Sequence, residues 1–168
     1  MGPLANANPR YFQDRVGFWN DVMQHGTYDE FWKSRNIRPH LKNIRPAVMT
    51  VGGWFDSENL FGALETYQRI ESSSPQATNT LVMGPWRHGQ WTGDAGTNLG
   101  YVQFNSKTGD FFREQIEFPF FQFHLKGKGE LKQPEAWVFE TGTNQWRQEE
   151  TWPPSTAKSK AFYLQPAR

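Results

Sequence analysis

The sequence of 168 residues contains no cysteine. This absence excludes disulfide bonds, thiolate nucleophiles and metal sites built on cysteine, and it leaves the redox compartment undecided. An excess of one charge is also lacking, because 18 Lys and Arg residues stand against 17 Asp and Glu residues. A chain so close to neutral lacks the basic field that nucleic-acid binding requires, so no nucleic-acid partner is expected.

Long apolar runs and metal-binding spacings are missing as well. No segment approaches the ~20 apolar residues that span a bilayer, so no membrane partner is expected. The four histidines show no His-x-x-x-His spacing, and we expect neither a metal nor another cofactor. The first residues lack the charged and apolar regions of a signal peptide. Localisation stays open among the cytoplasmic, periplasmic and secreted compartments of a bacterium, and so does the formation of a homo-oligomer.

Aromatic residues are abundant instead. They make up 16% of the chain, with eight Trp and 14 Phe. Such a content suits a packed core, and it also suits surfaces that stack on ligands. Three late tryptophans support an alternative to an enzyme, namely a non-catalytic, aromatic-rich β module that binds carbohydrate or a partner protein. These residues are Trp137, Trp146 and Trp152.

The first forty residues carry two helix patterns. Apolar residues recur at intervals of four, three and four between residues 11 and 24, which predicts an amphipathic helix. Thr27 and Glu30 have the spacing of a capping box, which predicts a second short helix starting at Thr27. The apolar stripe of the first helix consists of Phe12, Val16, Trp19 and Met23.

The middle of the chain predicts a βαβ unit. Residues 47–54 and 80–84 are short apolar runs of the kind that form strands buried on both faces of a parallel sheet. Between them Ser57 is placed to cap a helix that runs to about Ile70. Its inward face is predicted to contain Leu60, Leu64, Tyr67 and Phe61.

A helical pattern runs from Asp110 to Leu125, where Pro119 is expected to kink or interrupt it. Residues 136–140, 145–151 and 161–164 then predict short antiparallel strands. Two parallel strands are too few for a covered sheet, and three late strands are too few for a sandwich. We therefore expect the sequence to be part of a longer protein.

Two residues at neighbouring strand ends suggest catalysis. Asp56 follows the first predicted strand, and His88 follows the second. Adjacent parallel strands lie about 4.8 Å apart, so the two side chains are expected to meet at the carboxyl edge of the sheet. A carboxylate that orients an imidazole is the supporting half of a nucleophilic triad. No Gly-x-Ser-x-Gly element accompanies them in the sequence.

The motifs around both residues resemble those of a known family. The segments Gly-Gly-Trp-Phe-Asp at residues 52–56 and Met-Gly-Pro-Trp-Arg-His-Gly at residues 83–89 are similar to those of the CocE/NonD hydrolases. That group includes the X-Pro dipeptidyl-peptidase (S15) family, the α-amino acid ester hydrolases and glutaryl-7-aminocephalosporanic acid acylase-like proteins. The resemblance implies an α/β fold: the C-terminal part of an α/β-hydrolase domain, with cap helices, followed by the start of a β jelly-roll domain. The implied boundaries are 1–42 for the end of the cap, 43–129 for the hydrolase domain and 130–168 for the jelly roll.

The same resemblance implies a reaction. It makes the protein a serine hydrolase that cleaves ester or amide bonds of small molecules through an acyl-serine intermediate. Asp56 becomes the triad acid and His88 the general base. The serine would come from the remainder of the polypeptide or from a complementing chain, so the isolated chain is expected to be inactive.

Six further residues are candidates for substrate binding. The resemblance implies that carboxylates of the cap bind a substrate ammonium group, although helix capping explains the same two carboxylates without a ligand. Aromatic residues beside the triad loops are candidates to line an acyl pocket, with core packing as the alternative. An arginine beside the base would orient a substrate carboxylate or form a structural ion pair. These residues are Asp29 and Glu30, Trp54, Phe55 and Trp86, and Arg87.

Overall fold

The computed structural model describes residues 2–165, and the chain divides into two compact units, residues 1–40 and residues 41–168. The division lies close to residue 42, the predicted end of the cap region. The assignment of the first unit to a cap stays a prediction.

The first unit consists of short helices. Helix α1 is followed by the single-turn helix α2, and tighter or wider helical turns lie at both ends of the unit. No helix among residues 2–165 is long and apolar enough to cross a membrane. The elements are a 3-10 turn at Leu4–Asn6, a π turn at Asn8–Phe12, α1 at Gly17–Gln24, α2 at Glu30–Lys33 and a 3-10 turn at Arg38–His40.

The predicted helix over residues 11–24 is interrupted at residues 13–16, because α1 begins only at Gly17. Gln13 and Asp14 adopt left-handed conformations with φ of 49° and 59°, so the chain breaks before α1. The backbone N–H of Asp14 donates to Oδ1 of Asn8 at 2.8 Å, which stabilises this break. Periodicity alone did not reveal the break, because the rings of Phe12 and Trp19 still pack together, with centroids 5.0 Å apart.

Helix α2 begins later than its predicted capping box. Asp29, and not Thr27, is the N-cap residue, since its Oδ1 accepts the backbone N–H of Phe31 at 3.0 Å. Asp is among the best N-cap residues because its short carboxylate reaches the unpaired N–H groups of the first turn. The predicted Thr27 cap is therefore wrong by two residues.

The second unit contains a four-stranded sheet of order β1-β2-β5-β6. Strands β1, β2 and β5 are parallel, and β6 is antiparallel to β5. The strands are β1 at Val48–Gly53, β2 at Asn79–Gly84, β3 at Asn98–Leu99, β4 at Val102–Gln103, β5 at Ala136–Glu140 and β6 at Gln145–Glu149; the helices are α3 at Leu60–Ser73, α4 at Thr108–Phe111 and α5 at Phe118–Lys126, with a π-helical segment at Phe112–Glu117.

The predicted βαβ unit is confirmed, with corrections at the helix. Strand β2 is buried along its whole length, as expected for a parallel strand covered on both faces. Helix α3 buries Tyr67 and Ile70, but Phe61 is exposed and does not belong to the inward face. The predicted cap at Ser57 is also wrong, since Asn59 holds the N-cap position and has no side-chain cap bond.

The late strands correct the predicted start of the jelly roll. Strands β5 and β6 form an antiparallel pair as predicted, but β5 also pairs in parallel with β2, with Leu81 opposite Ala136. Residues 136–149 therefore extend the sheet of the second unit and do not begin a separate domain at residue 130. The third predicted strand, at residues 161–164, is not formed.

Pro119 does not stop the predicted helix. Residues 108–126 are helical throughout, and the π-helical segment ends directly before Phe118, the residue that precedes Pro119. Proline has no backbone N–H, so Pro119 cannot donate the hydrogen bond of a regular α-helix. The π-helical segment lies at the position where that hydrogen bond would be made. The side-chain amide of Gln133 donates to the carbonyl of Ile116 at 2.9 Å, which satisfies one acceptor of this segment.

The sheet is covered on both faces. Leu81 and Met83 of β2 face α3, whereas Val82 faces the segment from α4 to α5. This alternation places one apolar cluster on each side of the sheet. The first cluster consists of Ala63, Tyr67, Leu81, Met83, Ala136 and Val138, and the second of Val82, Trp86, Phe112, Ile116 and Trp137.

Candidate active site

Asp56 and His88 meet at the carboxyl edge of the sheet. The last residues of β1 and β2, Gly53 and Gly84, are opposite each other, so the loops that follow start side by side. Nδ1 of His88 lies 3.0 Å from Oδ2 of Asp56. The contact predicted from the two strand ends is therefore present.

The carboxylate of Asp56 is buried and fixed. Its Oδ1 accepts the backbone N–H groups of Glu58 and Asn59 at 2.8 and 2.9 Å, which leaves Oδ2 to face His88. Burial alone would raise the pKa of the Asp56 carboxyl, but the two backbone donors and His88 together lower it below its ordinary value of 3.8. The group is thus a charged acceptor, and it holds Nδ1 of the imidazole as the N–H side of the ring.

The imidazole of His88 is accessible. Its side chain is 54% exposed, while that of Asp56 is 2% exposed. Among residues 2–165 no group is hydrogen-bonded to Nε2 of His88. A neutral imidazole held in this way presents Nε2 as a free acceptor, which is the state that a general base needs.

Backbone contacts hold the two loops together. The N–H of Trp54 donates to the carbonyl of Gly84 at 2.9 Å, and the N–H of Phe55 donates to the carbonyl of Trp86 at 3.1 Å. A Cβ at Gly53 would lie 2.2 Å from the carbonyl oxygen of Trp86, so only glycine fits there. The spacing of Asp56 and His88 is therefore set by main-chain contacts.

The indole of Trp86 anchors the histidine loop in the core. The side chain is fully buried, and its Nε1 donates to Oγ1 of Thr108 at 2.9 Å. That hydroxyl in turn donates to the carbonyl of Gly96 at 2.7 Å. A ring without accessible surface cannot contact a substrate, so the prediction of Trp86 as a pocket residue is wrong. In the sequence, Trp86 follows Pro85 and therefore resembles a loop residue. Its burial depends on packing with residues that are distant along the chain.

The other residues beside the triad loops lie in different environments. Nε1 of Trp54 donates to the carbonyl of Phe139 at 3.0 Å, and its ring packs near Trp152. Phe55 is 46% exposed, and Arg87 is exposed as well. Substrate contacts by Trp54, Phe55 and Arg87 stay predictions.

Asp29 and Glu30 belong to the first unit and already have partners. Besides capping α2, Asp29 places Oδ2 at 2.6 Å from Nδ1 of His25. The hydrogen bond from His25 lowers the pKa of Asp29 below its ordinary value of 3.8, against the opposing effect of burial. Glu30 pairs with Lys33 at 2.8 Å. A substrate role for these two carboxylates stays a prediction, and the His25–Asp29 pair was not predicted from the sequence.

The late tryptophans do not form an exposed platform. Trp137 is buried, and its ring packs against Phe111. The ring of Trp146 packs against Phe111 and Trp86, with centroids 5.5 and 5.8 Å away. Rings engaged in core packing are not available to stack on sugars, so the geometry gives no support to the carbohydrate-binding alternative.

No cluster of three or more His, Asp or Glu residues suited to a metal ion occurs in the part of the chain that the structure describes. At the sheet edge, Asp56 and His88 bring one carboxylate and one imidazole together. Such a pair can take up and release a proton, but it cannot form an acyl intermediate by itself.

Known proteins are similar to this chain in both sequence and fold. A family model described as X-Pro dipeptidyl-peptidase (S15 family) matches residues 4–90, a range that includes Asp56 and His88. Cocaine esterase from Rhodococcus sp. (strain MB1 Bresler) is 29% identical over 153 residues, which cover 86% of this chain and 25% of that protein.

Two solved structures are similar along most of the chain. An aminopeptidase from the marine sediment archaeon Thaumarchaeota archaeon has a TM-score of 0.81 and 33% identity, covering 89% of this chain and 25% of its own. A selenomethionine-labelled α-amino acid ester hydrolase has a TM-score of 0.79 and 29% identity, covering 87% and 24%. The chain spans about a quarter of the length of these relatives.

Proposed function

Because this chain belongs to the X-Pro dipeptidyl-peptidase (S15) family, we propose that Asp56 and His88 are the acid and base of a serine hydrolase. The observation that carries the proposal is the 3.0 Å contact between Nδ1 of His88 and Oδ2 of the buried Asp56. A structural ion pair needs no accessible imidazole, whereas His88 exposes more than half of its side chain at the carboxyl edge of a parallel sheet.

The proposed reaction uses the two nitrogens of the imidazole differently. Nε2 of His88 takes the proton of a serine hydroxyl during attack and returns it to the leaving group. Asp56 accepts the Nδ1 proton, fixes the tautomer and stabilises the imidazolium that forms. Water then attacks the acyl-serine, again with His88 as base. The serine and the oxyanion hole lie outside the 168 residues in this proposal.

The proposed substrates are small esters or amides. The similar proteins include a cocaine esterase, an α-amino acid ester hydrolase and an aminopeptidase, and these names denote the cleavage of ester or peptide bonds. The cap role of residues 1–42 and a later β-rich domain also belong to this proposal. Because β5 and β6 are part of the hydrolase sheet, we place the start of any jelly roll after Glu149.

The test measures p-nitrophenyl ester turnover by the full-length hydrolase. His88→Ala is expected to lower kcat by about 10⁴-fold or more, as loss of a triad histidine does. His40→Ala, which changes an exposed histidine of the first unit, is the matched control and should keep full activity. Unchanged turnover in His88→Ala would exclude its role as base.

The 168-residue chain alone should not hydrolyse the ester, because it lacks the nucleophile. Native mass spectrometry of the chain purified from its source distinguishes the two origins of the serine. A complex with a second chain supports complementation, and one longer polypeptide supports a serine on the same chain.

A further inference from the structure

Gln90 is a buried polar residue two positions after His88. It is 6% exposed, and both ends of its side-chain amide are bonded. Oε1 accepts the backbone N–H of Arg87 at 3.2 Å, and Nε2 donates to the carbonyl of Asn98 at 3.1 Å. The side chain therefore connects the residue before His88 to strand β3.

The same glutamine closes the turn that carries His88. Its backbone N–H donates to the carbonyl of Arg87 at 3.1 Å. Gly89 has φ of 69° and ψ of 2°, whereas His88 is not among the residues with positive φ. These angles match a type II turn with His88 at its first central position. Gln90 thus bonds both the N–H and the carbonyl of Arg87.

His88 depends on this turn for its position. Its half-exposed side chain has one hydrogen bond, to Asp56, and no ring contact with an aromatic neighbour in the described part of the chain. A half-exposed side chain with one hydrogen bond takes its direction from the backbone that carries it. A shift of the turn therefore moves Nε2 directly.

We propose that Gln90 is a positioning residue that sets the orientation of His88 for proton transfer. The inference rests on the proposed function of His88. An amide is chemically suited to this place because one side chain must accept from an N–H and donate to a carbonyl. A glutamate would keep the acceptor and lose the donor, and a methionine of similar length would lose both.

The test uses steady-state kinetics of the full-length hydrolase. Gln90→Met is expected to lower kcat and kcat/KM together by about 10- to 100-fold, since a displacement near 1 Å costs up to about 10²-fold. Gln90→Glu keeps an acceptor for the N–H of Arg87 but sets a buried carboxylate oxygen against the carbonyl of Asn98, so it should also lower kcat and kcat/KM. Gln133→Met is the matched control: it removes a comparable bond, to the carbonyl of Ile116, away from the site.

A spectroscopic readout separates positioning from a loss of stability. The Nδ1 proton of His88, hydrogen-bonded to Asp56, should give a downfield proton NMR signal that broadens in Gln90→Met and persists in Gln133→Met. Equal kinetic losses in the two methionine variants would overturn the proposal. If Gln90→Met does not fold, Gln90→Glu decides: a wild-type kcat would overturn positioning, and a reduced kcat with the downfield signal broadened would support it.

The His88→Ala variant distinguishes the two proposals. If His88→Ala is inactive and Gln90→Met is fully active, the positioning proposal fails and the proposed function stands. Active His88→Ala means that the proposed function itself fails, and the positioning role of Gln90 fails with it.

Discussion

Replacing Gly53 with alanine adds a methyl group at the point where the loops that carry Asp56 and His88 touch. The new Cβ would lie 2.2 Å from the carbonyl oxygen of Trp86 and 2.8 Å from its carbonyl carbon. Both atoms are backbone, so no flexible side chain can move aside. The loops after β1 and β2 must separate for the methyl group to fit.

The required separation can be worked out from these distances. Cβ contacts shorter than 3.0 Å essentially do not occur, so the backbone near Trp86 must move by at least about 0.8 Å. If this shift passes to His88, its Nδ1 moves from 3.0 Å to about 3.8 Å from Asp56, which is too far for a hydrogen bond. We expect about a 10²-fold loss in kcat and a loss of about 1–3 kcal/mol in the free energy of unfolding.

Gly52→Ala is the matched control one residue earlier. Its Cβ would meet Cβ of Ala63 at 2.8 Å and Sδ of Met83 at 2.9 Å, on the α3 side of the sheet. It should therefore lose stability through overpacking without separating the loops. Urea unfolding and ester turnover of both variants in the full-length hydrolase test this difference. Equal kcat in Gly53→Ala and Gly52→Ala would refute the backbone-contact reasoning.

Three further predictions concern the same loops. Thr108→Val removes the hydroxyl that accepts from buried Trp86 and should cost about 1–3 kcal/mol, read from urea unfolding. Gly89→Ala has free space for its Cβ, yet its φ of 69° is strained for alanine, so thermal unfolding should show a loss of about 1 kcal/mol. The folded pKa of Asp56 lies below 3.8, so its stabilising effect is complete above that value and disappears as pH falls through the lower folded pKa. Asp56→Asn should consequently show a shallower loss of stability in acid, and an identical acid dependence would contradict the shift.

Short-range patterns were sufficient to predict the contact between Asp56 and His88. The apolar runs of β1 and β2 and the helix between them are local features, and a carboxylate and an imidazole follow directly at the two strand ends. Because parallel neighbours end at the same edge, Asp56 and His88 could be placed together without any long-range information.

Features that depend on distant pairing were not predicted. Nothing in the period of β5 shows that Ala136 lies opposite Leu81, so the sequence pattern predicts a strand of a separate domain. The burial of Trp86 rests on Thr108, 22 residues away, and a tryptophan beside a proline resembles a loop residue. The break at Gln13 depends on left-handed backbone angles. A glycine in the sequence would indicate such angles, but a glutamine does not.

The rate of acyl-enzyme formation in Asp56→Asn tests the central claim most directly. Asparagine keeps an oxygen for the backbone N–H groups of Glu58 and Asn59 but removes the carboxylate that fixes the tautomer of His88. In rapid-mixing experiments on the full-length hydrolase, we expect the burst of p-nitrophenol to slow by about 10⁴-fold. A burst at the wild-type rate would show that Asp56 does not act on the base.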